Sequence, residues 1–218
     1  MKPTAFLFPI LLVFLLSSCK TSIVQTPIIF DQERKELSLE YLENRYGLDQ
    51  NEATIIPKMV VIHWTAIPTL EKSFAAFYES KLPNFRPEIA SASALNVSVQ
   101  YLIDRDGTIY QLLPDNTFCR HVIGLNHCSI GIENVGNGDT HPLTDAQLKS
   151  NIKLIRQLAK KHPIEYVIGH HEYTQFEDHP LWLEKDKGYR TVKYDPGEAF
   201  MSKLRPRLKN LNLKELPK

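Results

Sequence analysis

Two short apolar runs that each end in a histidine constrain this chain more than any other feature. His63 follows Met-Val-Val-Ile at residues 59–62, and His170 follows Tyr-Val-Ile-Gly at residues 166–169. Runs of this length and composition predict strands buried on both faces. Two strand-end imidazoles and the carboxylate of Asp195, in an Asp-Pro-Gly turn, would make three zinc ligands and leave a fourth position open for water. The pattern therefore indicates a metal-dependent hydrolase.

The rest of the chain alternates strand and helix patterns, which predicts an α/β fold. Residues 97–103 and 108–113 flank an Asp-Gly dipeptide that favours a tight hairpin turn. Residues 129–135 alternate, so that Glu133 lies in mid-strand, where a charge requires a partner or a function. We therefore expect a single domain with a central mixed β-sheet flanked by helices. Helices are predicted to begin after the capping residues Asp31, Thr69 and Thr144 and at about Glu198. Gly47 and Pro163 are expected to end the first and third of these helices, and Pro206 to end or kink the last.

The amino terminus carries a targeting signal. The apolar run at residues 5–16 is shorter than the roughly 20 residues of a membrane span and is typical of a signal-peptide core. The Leu-Ser-Ser-Cys that ends at Cys19 resembles the lipobox of bacterial lipoproteins, although a plain secretory signal with an incidental cysteine is the alternative. We expect lipidation of Cys19 and a place in the bacterial cell envelope, lipid-anchored to a membrane as a periplasmic or outer-membrane lipoprotein. The predicted divisions are a signal peptide at 1–18, a tether at 19–30 and the domain at 31–218, with its core at 58–208.

The charge of the chain limits the classes of partner that it can bind. The chain has 26 basic and 25 acidic residues and a net charge of +1, without a basic run that would neutralise nucleic-acid phosphates. We therefore expect no nucleic-acid partner, and no protein partner is evident.

Cys119 and Cys128 either form a disulfide or remain buried thiols, and the sequence leaves both possibilities open.

Five short motifs follow one another between about residue 58 and residue 197. They are Val-Ile-His-Trp-Thr at 61–65, Val-Gln-Tyr-Leu-Ile at 99–103 with Arg-Asp-Gly-Thr-Ile-Tyr-Gln at 105–111, Ser-Ile-Gly-Ile-Glu at 129–133, Ile-Gly-His at 168–170 and Lys-Tyr-Asp-Pro-Gly at 193–197. In this order they resemble the zinc-dependent N-acetylmuramoyl-L-alanine amidases, a family that includes phage amidases and peptidoglycan recognition proteins. The resemblance implies a fold of that type, Zn²⁺ as cofactor and peptidoglycan or muropeptides as partners.

The resemblance also implies roles for five residues. His63, His170 and Asp195 would bind zinc, while Glu133 and Lys193 would stand beside the metal and its water. A carboxylate there can move a proton from water to the leaving nitrogen, and an ammonium can stabilise the developing oxyanion. We therefore interpret Glu133 and Lys193 as catalytic.

Two positions depart from the family pattern. Val99 stands where some members have a catalytic tyrosine, which adds weight to Glu133. The span from His170 to Asp195 is longer than in the relatives, and its insertion at 171–192 contains Asp178 and His179, which compete as candidate ligands.

Other polar and aromatic residues receive lesser roles. His121 and Asn126 lie in the loop before the Glu133 strand, where the family places substrate contacts, and a solvated loop is the alternative. His171 is a rival to its neighbour His170. The remaining histidines, His127, His141, His162 and His179, are interpreted as surface residues. Trp64, Phe74, Phe77 and Tyr78 are interpreted as core residues, with a sugar-stacking platform as the alternative.

The expected activity is zinc-dependent hydrolysis of the amide between N-acetylmuramic acid and L-alanine in peptidoglycan or its fragments. Two alternatives stay open. One is a catalytically inactive peptidoglycan-binding protein of the same fold, and the other is a zinc carboxypeptidase that acts on the stem peptide.

Overall fold

One mixed β-sheet organises the molecule, in agreement with the predicted fold class. The computed structural model describes residues 22–83 and 87–217, and of residues 87 and 88 it describes the backbone alone. The strands are β1 (Ile23–Gln25), β2 (Met59–Trp64), β3 (Tyr101–Ile103), β4 (Ile109–Gln111), β5 (Ser129–Asn134) and β6 (Tyr166–Gly169). Their order across the sheet is β1-β4-β3-β5-β2-β6. Only the β3–β4 pair is antiparallel among these strands.

The central strands end at the same edge of the sheet. His63 of β2 pairs in register with Glu133 of β5, and Ile62 pairs with Gly169, the last residue of β6. Because these strands are parallel, His170 leaves β6 beside the end of β2. The sheet thus brings two distant histidines and one carboxylate to one edge.

Several helices begin or end at residues that the sequence marks, although α3 (Pro87–Ala90) was not predicted. The Asp31 carboxylate accepts a hydrogen bond from the Arg34 backbone N–H at 2.9 Å, and Thr144 forms a capping box with Gln147. Gly47 ends the first helix after one π-helical turn, with φ at 71°. The helices are α1 (Gln32–Tyr41), α2 (Leu70–Tyr78), α3 (Pro87–Ala90), α4 (Asp145–Lys161) and α5 (Glu198–Leu204), and a 3₁₀ segment (Arg205–Leu211) containing Pro206 follows α5.

The two faces of the sheet are covered differently. Ile62 and Ile132 face α4 and α5 and lie in one apolar cluster with Ile155 and Met201. Since side chains alternate along a strand, His63 and Glu133 point to the opposite face. That face is covered by α2 and by irregular segments, which leave room for a cavity at the sheet edge.

Part of the segment predicted as a tether packs on the sheet. Residues 23–25 form β1 at the edge of the sheet, and Ile28 is buried and donates its N–H to the Leu112 carbonyl at 3.2 Å. A three-residue strand is too short to show periodicity. Gln25 of β1 contacts Gln111 of β4, which lies 86 positions further along the chain. The predicted signal peptide and Cys19 lie outside the described residues.

The predicted hairpin strands are shorter than expected. β3 and β4 each have three residues, although the sequence pattern extends over 97–103 and 108–113. Before β3 the chain turns to another partner, because Ser98 donates its N–H to the Arg120 carbonyl at 3.0 Å.

Cys119 and Cys128 are free and buried, and they lie in separate apolar clusters. Burial raises the pKa of each thiol to about 12. In the described part of the chain, no helix is both long and apolar enough to cross a membrane.

Candidate metal centre

Three donor atoms converge at the carboxyl edge of the sheet. The His63 Nδ1 atom lies 2.9 Å from His170 Nδ1 and 3.2 Å from Asp195 Oδ2, and the last two atoms are 3.0 Å apart. All three residues are buried. Zinc with bonds of about 2.0–2.1 Å to tetrahedral ligands separates them by roughly 3.3 Å. The three side chains therefore fit a zinc ion with little movement.

Asp195 is placed by the residue that follows His170. The His171 N–H donates to the Asp195 carbonyl at 2.9 Å, and the His171 ring Nδ1 lies 3.0 Å from the same oxygen. His171 is thereby excluded from the three converging donors. It belongs to a second group with Glu172 and Glu198, but the Glu172 carboxylate already contacts Arg205 and the Gly169 N–H.

Burial and charge set the protonation of the donors. Burial lowers the pKa of His170 to about 4, against the opposing effect of Asp195. Burial alone would raise the pKa of Asp195, but His170 and His63 outweigh it and hold that pKa below its usual range. At neutral pH, His170 is therefore a neutral imidazole and Asp195 a carboxylate, which are the forms that coordinate a metal.

The two predicted catalytic residues line the same cavity as the donors. Glu133 is 9% exposed and pairs in register with His63 on the adjacent strand. Lys193 is half-buried, and its charge contributes to the lowering of the pKa of His170 after the larger effect of burial. The side chains of Glu133 and Lys193 thus share one cavity with the three converging donors.

His121 and Asn126, the predicted substrate contacts, also line the cavity but are engaged inside the protein. The Asn126 Oδ1 atom accepts from the N–H groups of His121 and Val122, each at 2.8 Å, and its amide donates to the Tyr46 hydroxyl at 2.9 Å. The His121 ring lies 3.1 Å from the His63 ring, and burial is the main reason that the pKa of His121 falls well below its usual value.

Asp178 and His179 of the insertion do not join the three converging donors. The His179 Nε2 atom lies 3.2 Å from the hydroxyl of Tyr166, and its Nδ1 atom accepts the Leu181 N–H at 3.2 Å. Tyr166 is the first residue of β6, so His179 lies at the edge of the sheet opposite His170. Asp178 is exposed.

Several cavity residues were missed by the sequence interpretation. The cavity has a volume of about 240 Å³ and is lined in part by Tyr41 of α1, by Arg120 and by Tyr189 of the insertion. Arg120 donates to the Tyr189 hydroxyl and to three backbone carbonyls. It therefore connects separate segments of the chain around the cavity. A single arginine in an irregular segment carries no sequence signal for this role. Trp64, predicted as core, is half-buried and lines the cavity.

Other predicted locations are also revised. His127 packs its ring against Tyr46, and burial lowers its pKa to about 4, so it is not a surface histidine. His162 contacts the buried Asp115 carboxylate at 2.9 Å. Phe77 is buried as predicted, whereas Tyr78 is 39% exposed.

A buried donor set of two histidines and one aspartate, beside a carboxylate and an ammonium in an α/β cavity, defines the class of metal-dependent hydrolases. Residues 51–198 match the N-acetylmuramoyl-L-alanine amidase family. The chain belongs to this family, and the match confirms the predicted family and enzyme class.

Individual proteins are similar to this chain in sequence or in fold. The chain is 28% identical over 158 residues to the 1,6-anhydro-N-acetylmuramyl-L-alanine amidase AmpD of Enterobacter cloacae, covering 66% of this chain and 76% of that protein. The solved N-acetylmuramoyl-L-alanine amidase LysC from Clostridium intestinale URNW shares the fold at 21% identity with a TM-score of 0.52, covering 89% of this chain and 100% of that one. Human PGRP-IBETAC, solved with glycosamyl muramyl pentapeptide, has 17% identity and a TM-score of 0.50, with coverage of 77% and 93%.

Proposed function

We propose that the protein hydrolyses the amide between N-acetylmuramic acid and L-alanine with a zinc ion held by His63, His170 and Asp195. The observation that carries this proposal is the convergence of their three donor atoms within 3.2 Å of one another at the cavity. When bound, zinc supplies Lewis-acid polarisation of the scissile carbonyl and lowers the pKa of a bound water to about 7. Peptidoglycan or its soluble fragments are the substrate class.

Glu133 and Lys193 supply the proton transfer and the charge stabilisation that the reaction requires beyond the metal. Glu133 accepts the proton of the attacking water and delivers it to the leaving nitrogen of L-alanine. Glu133 pairs in register with His63, and both residues line the cavity. Lys193 places a positive charge at the cavity where the scissile carbonyl oxygen becomes negative. The two residues thereby divide proton transfer and charge stabilisation between them.

Mass analysis of products tests this activity. Purified protein loaded with zinc should release intact stem peptides from muropeptides, and removal of zinc with a chelator should stop the release. Binding without any product would favour the inactive peptidoglycan-binding alternative. Release of D-alanine alone would favour the carboxypeptidase alternative, and either result would contradict the proposal.

We further propose that Cys19 is lipidated and that the domain lies close to a membrane of the cell envelope. The support is the Leu-Ser-Ser-Cys sequence and the short distance along the chain, since β1 begins at Ile23. Four residues extend at most about 14 Å. Ile23 pairs with Ile109 of β4, and Ile109 pairs with Ile103 of β3. Ile103 in turn pairs with Asn134, the last residue of β5. The first residue of β1 therefore lies at the carboxyl ends of the central strands, where the three donors lie. An anchored protein would therefore hold its cavity near the bilayer.

Metabolic labelling tests the anchor. The wild-type protein should incorporate labelled fatty acid and sediment with membranes, and Cys19→Ser should do neither. Cys119→Ala, which removes a buried thiol instead, should still be labelled. An unlabelled wild-type protein would contradict lipidation.

A further inference from the structure

The ring of His121 occupies a position that the proposed reaction does not explain. Its Nδ1 atom lies 3.1 Å from His63 Nε2, on the side of the His63 ring away from the three converging donors. Its Nε2 atom lies 3.4 Å from both the carbonyl and the hydroxyl oxygen of Ser129. The Ser129 hydroxyl donates to the Leu125 carbonyl at 2.8 Å, so both oxygens of Ser129 are acceptors toward His121.

These contacts determine where the protons must be when a metal is bound. A neutral imidazole that coordinates through Nδ1 carries its proton on Nε2. The Nε2–H of His63 then points at His121 Nδ1, which can accept it only if His121 carries its own proton on Nε2. That proton points at the Ser129 oxygens. The three residues thus form one directed chain of hydrogen bonds, in which the zinc ligand His63 donates to His121 and His121 donates to Ser129.

We propose that His121 is a positioning residue that fixes the tautomer and the ring orientation of His63 for metal binding. The inference rests on the proposed zinc centre, and it assigns His121 a role toward the ligand in place of a direct contact with substrate. Partners of this kind orient metal-binding histidines and raise their basicity, and their loss typically costs about 10- to 100-fold in metal affinity.

The surroundings of His121 hold its ring in place. Asn126 accepts the backbone N–H of His121 and is itself held by the Tyr46 hydroxyl, at the end of the first helix. The ring lies against Gly131 of β5, where an added Cβ would come within 3.0 Å of His121 Cγ. Glycine at position 131 therefore provides the space that the ring occupies. The N-terminal helix reaches the metal centre through Tyr46 and Asn126.

Zinc affinity measured by competition with a chromogenic chelator tests this role without any measurement of turnover. His121→Phe keeps an aromatic ring but removes the acceptor for His63, and we expect zinc to bind about 10- to 100-fold more weakly. His121→Asn returns an acceptor oxygen near the place of Nδ1 and should recover most of the affinity. His127→Phe, the matched change at a partly buried histidine of the same segment, should leave affinity unchanged.

Equal zinc affinity in the wild type and His121→Phe would overturn the inference while leaving the proposed amidase intact. A wild-type protein that binds no zinc would overturn both. A second measurement does not depend on the folding of any variant. Nitrogen-15 NMR of the histidine rings in the zinc-loaded wild type should show His63 and His121 both protonated at Nε2, and a His121 protonated at Nδ1 would contradict the proposal.

Discussion

At the scale of single residues, the position of Glu133 is the most informative for the mechanism. It lies on a buried strand in register with His63, and neighbouring strands are about 4.8 Å apart. A carboxylate at this depth is costly unless it has a function or a partner. The structure places it at the cavity, beside the donors and not among them.

Glu133→Gln should lower kcat by about 10²- to 10⁴-fold, because the amide keeps the shape of the side chain but cannot accept the proton. Zinc content should stay at the wild-type level. The measurements are turnover on muropeptides and metal analysis of the same samples. Glu165→Gln, at the opposite end of β6, serves as the control and should keep full activity. Unchanged turnover in Glu133→Gln would remove this residue from the mechanism.

Each of the three converging residues stands at a position that the sequence marks. His63 and His170 follow apolar strands, and Asp195 lies in an Asp-Pro-Gly turn. The partner of His121 could not be predicted, since it depends on the orientation of two rings. Arg120 and Tyr189 were missed because the contact between them joins segments 69 positions apart.

At the scale of elements, the end of α4 is joined to the β3–β4 hairpin through one buried carboxylate. Asp115 accepts from Lys161 at 2.7 Å, from His162 at 2.9 Å and from the hydroxyl of Tyr101. Burial would raise the pKa of Asp115, but hydrogen bonds from Lys161, Tyr101 and His162 outweigh it and lower that pKa. The ionised form is therefore favoured by folding.

Asp115→Asn should lower the free energy of unfolding at pH 7 by about 1–3 kcal/mol, the usual cost of losing a buried charged hydrogen-bond acceptor. Because the folded-state pKa is lowered, the contribution is fully present above the unfolded value of about 3.9 and is lost as pH falls through the folded value. Urea unfolding at pH 7 and pH 3 should show the difference shrinking at the lower pH. The exposed Asp178→Asn is the control. A difference that grows at pH 3 would contradict this account.

The elements themselves were predictable where caps and periodicity are strong, as for α4 with its Thr144 capping box. β1 was not, because three residues give no period and the pairing with β4 is a tertiary contact. The late start of β3, at Tyr101 and not at residue 97, has the same kind of cause, since the Ser98 N–H donates to the Arg120 carbonyl.

At the scale of the whole molecule, the N-terminal helix and the insertion at 171–192 both contribute residues to the cavity. Tyr41 lies before residue 51, where the family match begins, and it lines the cavity together with Tyr189 of the insertion. Arg45 and Glu184 join these two segments through an ion pair of 2.7 Å. The long insertion thus packs on the N-terminal helix and leaves Asp195 in the donor set.

The central claim is that one zinc ion binds between His63, His170 and Asp195. Anomalous diffraction at the zinc edge, from crystals of the zinc-loaded protein, tests it most directly. We expect a single strong peak about 2.0–2.2 Å from the Nδ1 atoms of both histidines and from Asp195 Oδ2. A peak at His171, Glu172 and Glu198 instead, or no peak at saturating zinc, would contradict the account.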